Sequence, residues 1–111
     1  MTGAIEALRE ALTRGEEPAE GVSDVGTVEV VRRPGGALDH VRVALAEPAD
    51  VVELAQRFGA PSFPPRTPAG GRRAVFPATS PGDGERSVTV LAELDRWDRV
   101  AAVVLRPDDL R

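Results

Sequence analysis

Apolar residues open the chain at the spacing of one helical face: Ile5, Leu8 and Leu12, with Ala4 and Ala11 beside them. Thr2 suits an N-cap, Gly15 suits a C-terminal stop, and Glu10 and Arg14 stand at i and i+4 in the favourable order. A helix this short does not hold alone in water, so it must dock on something. An acidic connector follows over 16–21.

The period then changes to two. Strands are predicted over 25–33 and 38–46, joined by Pro34-Gly35-Gly36-Ala37, where a turn on the paired glycines suits a hairpin. That turn sets Val30 opposite Val41 and Val28 opposite Val43 on one face. On the other it sets Glu29 opposite Arg42 and Val31 opposite His40. Apolar meets apolar and acid meets base, an agreement that a slipped register would destroy.

Pro48 is expected to open a second helix in its first turn, where a missing N–H costs nothing. Val51, Leu54, Ala55 and Phe58 would be its buried face, Glu53 and Arg57 an i, i+4 pair, and Gly59 its end. A Pro- and Gly-rich loop over 60–71 comes next, expected to drop Phe63 onto an open edge of the core. Three further strands are predicted over 73–77, 86–94 and 99–106, with a turn-rich connector at Ser80-Pro81-Gly82-Asp83-Gly84. A tight turn through Asp95-Arg96-Trp97-Asp98 would set Val90 opposite Val103 and Ala92 opposite Ala101, with Val88 near Leu105.

The expected architecture is α+β: an antiparallel sheet of about five strands, in the order α-β-β-α-β-β-β, with both helices packed on one face. A length of 111 residues fits one domain over 1–111. One face of the last hairpin would be core: Val88, Val90, Ala92 and Leu94 with Ala101, Val103 and Leu105. The other would carry Thr89, Leu91 and Glu93 with Val100, Ala102 and Val104, only half of the polar alternation that a solvated face requires. Something should cover it, either the N-terminal helix or a second copy or partner protein.

Composition narrows the chemistry. The net charge of −4 argues against a nucleic-acid partner, because such proteins need basic patches to displace counterions. Every basic residue is Arg, and Lys, Asn and Tyr are absent, a bias associated with a GC-rich bacterial genome. No cysteine is present, which removes disulfides and thiolate metal ligands. The start, Met1-Thr2-Gly3-Ala4, has no signal-peptide pattern and no stretch approaches a membrane span, so a cytoplasmic location without membrane contact is expected.

Few residues carry candidate chemistry. His40 is the sole histidine, and Arg42 shares its strand face, so a minor enzyme would use these two; a lone strand histidine is more often a surface residue. Zinc fails for want of ligands, and neither a complete phosphate-loop motif nor a nucleophile elbow is present. Asp83 and Glu85 read as turn residues rather than as cation ligands. No cofactor or metal is expected. Arg66, Arg72 and Arg73 bracket the Pro-rich loop and could fork onto a carboxylate or phosphate, against the plainer reading that they solvate its rim. Pro61-Ser62-Phe63-Pro64-Pro65-Arg66 matches a pattern read by SH3-type grooves, though a rigid loop explains it as well. Trp97 is expected to fold back and cap the core; the alternative is an interface hot spot.

Two functional expectations lead. The first is a non-enzymatic protein–protein interaction module, binding itself or another protein through Leu91, Val100, Ala102 and Val104 with Trp97 at the rim. The second is a domain that binds a small anionic ligand through Arg66, Arg72 and Arg73.

Overall fold

A computed structural model describes residues 2–65, 71–77 and 87–107. Helix α1 (Thr2–Thr13) is followed by strands β1 (Gly21–Val22), β2 (Gly26–Arg32) and β3 (Leu38–Ala49). Helix α2 (Val51–Phe58) leads to β4 (Arg72–Val75), β5 (Val88–Leu94) and β6 (Val100–Pro107). The strands form one six-stranded antiparallel sheet in the order β1-β2-β3-β6-β5-β4. The class is α+β as the periodicity implied, with one strand more than expected. That strand, β1, is a Gly-Val dipeptide too short to leave an alternating pattern. It lies in the acidic connector, where Glu20 accepts from the Val30 amide and Glu17 forks onto Arg32.

The body of the β2–β3 hairpin has the expected register, Val28↔Val43, Glu29↔Arg42, Val30↔Val41 and Val31↔His40, but the turn closes from Arg33 to Ala37, and a register shift between Val31 and Arg32 makes up the difference. At Gly26 the backbone of β2 passes close against β3. A Cβ there would lie 2.0 Å from the Ala44 carbonyl oxygen, at a φ of +151° that side chains avoid.

Several local expectations are corrected. Strand β3 runs on through Pro48 to Ala49, and Asp50 is the N-cap of α2, its carboxylate accepting from the Val52 amide. A bulge between Ala44 and Ala49 accommodates the proline, as edges and bulges do. Arg57 bonds Glu6 of α1, tying the helices together where an intrahelical pair with Glu53 was expected. Phe63 is 54% exposed and does not plug the core edge.

Both helices press on one side of the sheet. Ile5 and Leu12 of α1 join Leu54 and Phe58 of α2 over Val41, Val43, Val90, Val103 and Leu105. Phe76 meets Phe58 edge-on, with ring centroids 6.0 Å apart. The N-terminal helix therefore covers the core face and leaves the opposite one to other groups. No helix among the described residues is long and apolar enough to cross a membrane.

The last hairpin departs from expectation in an instructive way. Its register is Val90↔Leu105, Ala92↔Val103 and Val88↔Pro107, two residues away from the expected pairing. The turn closes from Asp95 to Arg99, one residue longer than a tight turn, with Asp98 at a positive φ of 60°. A bulge beside the Glu93–Leu94 step absorbs one residue more. Two extra residues restore the original faces beyond the bulge, so Val103 and Leu105 stay in the core. Between turn and bulge the faces are exchanged: Val100 is fully buried in the core and Ala101 is exposed.

Candidate functional site

Away from the helices, three rows of side chains cross the sheet. One row holds Ala44, Ala102, Glu93 and Arg73, and the next holds Arg42, Val104, Leu91 and Val75. The third carries Thr89 opposite Arg106, with His40 one residue beyond the Val41↔Leu105 pair. Neither α1 nor α2 lies over this face, and its central feature is ionic rather than apolar.

Arg42 donates to Glu93, from Nη2 at 2.8 Å and from Nε at 3.3 Å to both carboxylate oxygens. The pair joins β3 to β5 across β6, over Ala102 and Val104, and Ala102 is only 1% exposed. Donating to the Glu93 carboxylate raises the Arg42 pKa further. Glu29 stands opposite Arg42 as the hairpin register requires, yet the guanidinium's hydrogen bonds go to Glu93.

That choice of partner has a consequence for Arg73. Arg73 lies directly opposite Glu93, the position from which a cross-strand ion pair forms most easily. With Glu93 held by Arg42, Arg73 Nε is closed off from solvent and has no hydrogen-bond acceptor among the described residues. A buried donor without an acceptor is uncommon, because its lost hydration goes uncompensated.

Arg73 lines a cleft of about 580 Å³, within the range of small-molecule sites. Leu91 and Val104 form the apolar part of its floor, and Arg72, Arg106, His40 and Glu93 contribute polar walls. Arg72 ion-pairs with Asp98 of the β5–β6 turn. At the far end His40 Nδ1 lies 2.6 Å from Asp39 Oδ2. The His40 hydrogen bond holds the Asp39 carboxyl below its ordinary range, helped by Arg33 and by Arg106. An ionised carboxylate only accepts, so Nδ1 is the donor in this pair. Arg106 reaches the same carboxylate only at 3.5 Å, and its side chain is 58% exposed.

The expected site residues divide accordingly. Leu91 and Val104 lie together on the cleft floor, Ala102 lies on the same sheet face under the ion pair, and Val100 belongs to the core. Arg72 and Arg73 line the cleft, whereas Arg66 lies outside the described residues, as do Asp83 and Glu85. His40 lines the cleft; Arg42 serves Glu93 instead. Trp97 is 68% exposed with the Arg96 guanidinium 4.2 Å above its ring, so it does not cap the core. Asp95 holds this turn through its carboxylate, which accepts from the amides of Trp97 and Arg99. Sequence reasoning missed Glu93, Arg106 and Asp39. Their roles depend on β6 lying between β3 and β5, and no local pattern encodes that order.

No protein-family model matches this chain, and no curated protein or solved structure matches it.

Proposed function

We propose that this protein is a binding domain for a small organic anion, held in the cleft on the sheet face away from the helices. The observation that carries the reading is Arg73: its Nε is buried, lacks an acceptor among the described residues and borders a cleft of ligand size. A carboxylate or phosphate oxygen would satisfy it with a charge-assisted hydrogen bond. Arg72 adds a second guanidinium at the same end, partly neutralised by Asp98. The ligand's apolar body would rest on Leu91 and Val104. This gives the anion reading of the arginines a concrete seat, with Arg73 as its principal residue.

The test is calorimetric titration of the full chain with hexanoate, octanoate and inorganic phosphate, repeated on Arg73→Gln. Saturable binding that weakens at least tenfold in the variant is the expected result. An affinity unchanged by the variant refutes the reading.

Self-association or a protein partner remains a second reading, supported by the 68% exposure of Trp97 at the hairpin tip. Light scattering across a dilution series tests self-association. A concentration-dependent mass that Trp97→Ala abolishes would favour it, and a constant monomer mass would count against a homodimer.

A further inference from the structure

We infer that the ligand of this cleft is a linear dianion, with one acidic group at each end of an apolar chain. The inference rests on the anion-binding reading and adds to it the chemical class of the ligand. It comes from where the cleft's charges lie and which of them are already matched. At the β4 end, Asp98 neutralises Arg72 and Arg42 neutralises Glu93, which leaves Arg73 without an acidic partner for its Nε among the described residues. At the other end, one carboxylate, Asp39, serves Arg33, Arg106 and His40 together. Arg106 is its most distant partner, at 3.5 Å, and its side chain stands largely in water, so its guanidinium is within reach of a second acidic group.

The two cationic ends are separated by a known stretch of strand. Arg73 is opposite Glu93 and Arg106 is opposite Thr89, four positions earlier on β5. At the rise of an extended strand this places the two rows about 13 Å apart. Between them lie Leu91 and Val104, with no charge of their own to meet a polar ligand body. A molecule with one acid would leave one end unmatched, and a compact polyanion such as inorganic phosphate would reach only one. A chain with an acid at each end and methylenes between them complements the whole cleft.

The experiment compares monoacids with diacids of equal length, at matched ionic strength, by calorimetry on the full chain: hexanoate against adipate, and octanoate against suberate. The better diacid is expected to bind roughly tenfold more tightly than its monoacid, as one further charge-assisted contact to an exposed arginine should give. Arg106→Gln should erase that advantage, bringing each diacid down to the affinity of its monoacid, and Arg73→Gln should weaken both kinds of ligand. Circular dichroism checks that each variant is folded; both side chains lie outside the core cluster. Asp39→Asn, which removes the competing carboxylate, should tighten diacid binding. If monoacids bind in an Arg73-dependent way and diacids gain nothing, the dianion inference is overturned and the anion reading stands. If neither kind binds, both fall together.

Discussion

Replacing Arg42 by Met should switch off anion binding without touching the ligand. In the native protein Arg42 holds Glu93 through three contacts between 2.8 and 3.3 Å. Their side chains are 39% and 37% exposed, so water screens the pair and its worth is about 0.5–1 kcal/mol. Removing Arg42 releases the Glu93 carboxylate. Its directly opposite neighbour is Arg73, and Cβ atoms so placed are ~5 Å apart, well within reach of an ion pair. Glu93 should therefore close on Arg73 and supply the acceptor that Arg73 Nε lacks.

Two magnitudes follow. Stability should not fall: the screened Arg42–Glu93 pair, about 0.5–1 kcal/mol, is lost, but a buried donor gains a charge-assisted hydrogen bond of about 1.5–3 kcal/mol, so a net gain of about 0.5–2.5 kcal/mol is expected in urea titration. Binding should suffer, since a ligand must now displace an internal carboxylate from a charge-assisted hydrogen bond of about 1.5–3 kcal/mol, roughly a ten- to hundredfold loss. Titration with adipate measures the loss, and the Arg73 Nε–H resonance reports the new hydrogen bond without any ligand. The double variant Arg42→Met with Glu93→Gln removes the competitor and should recover most of the affinity. A single variant that binds like the native protein, or a double variant no better than the single, would refute the argument that Arg42 keeps the site open by holding Glu93.

Three further expectations bear on the fold and the site. Leu91→Glu should leave the chain folded by circular dichroism yet abolish anion binding, because Leu91 is half-buried on the cleft floor; Val100→Glu should unfold it, since a carboxylate in the core costs several kcal/mol. Gly26→Ala should lower stability by about 2–4 kcal/mol in urea titration, the combined cost of a disfavoured φ and a Cβ 2.0 Å from the Ala44 carbonyl oxygen; a loss under about 0.5 kcal/mol would mean that β2 and β3 separate there at little cost. The pKa of Asp39 is held below its ordinary 3.8 in the folded state, so its contribution to stability is full above that value and is lost as pH falls through the lower folded one. Acid titration of Asp39→Asn should lack that part of the native protein's pH dependence.

How much of this could be read along the chain depended on how far apart the deciding residues lie. The β2–β3 hairpin was legible because its strands are contiguous and two independent facts fixed their register, the valine face and the Glu29–Arg42 opposition; the turn itself closes one residue away from the expected place. The helices were legible through Leu54 and Phe58 and through Ile5 and Leu12, which keep helical spacing and are all buried. Pro48 misled because a proline suits a helix's first turn and a bulged strand equally well, and only the N-cap bond that the Val52 amide donates to Asp50 decides between them. In the last hairpin the even spacing of Val88, Val90 and Ala92 gave the face of β5 correctly. It could not reveal two inserted residues in the partner strand, and so Val100 and Ala101 were exchanged.

The site demanded more than a hairpin. Arg72 and Arg73 could be singled out as arginines at a loop's edge, but what separates them is the acid that each one meets. Asp98 reaches Arg72 from the β5–β6 turn, while Glu93 faces Arg73 and is drawn away by Arg42, whose strand is separated from β5 by β6. That competition arises only because β6, the last described strand, inserts between β3 and β5 and puts Arg42 and Glu93 on one face, in adjacent rows, with Ala102 and Val104 of β6 between them. The half-apolar face noticed along β5 and β6 is the same feature seen without its charges. Leu91 and Val104 looked like a patch in need of a cover, and within the fold they are the floor between two cationic ends. The same residues thus fit an interface when read strand by strand and a ligand cleft when read across the sheet, and the guanidinium of Arg73 separates the two readings. A protein partner that covered this face with apolar groups would leave Nε still without an acceptor, at the cost of a buried unpaired donor; an anion removes that cost as it binds.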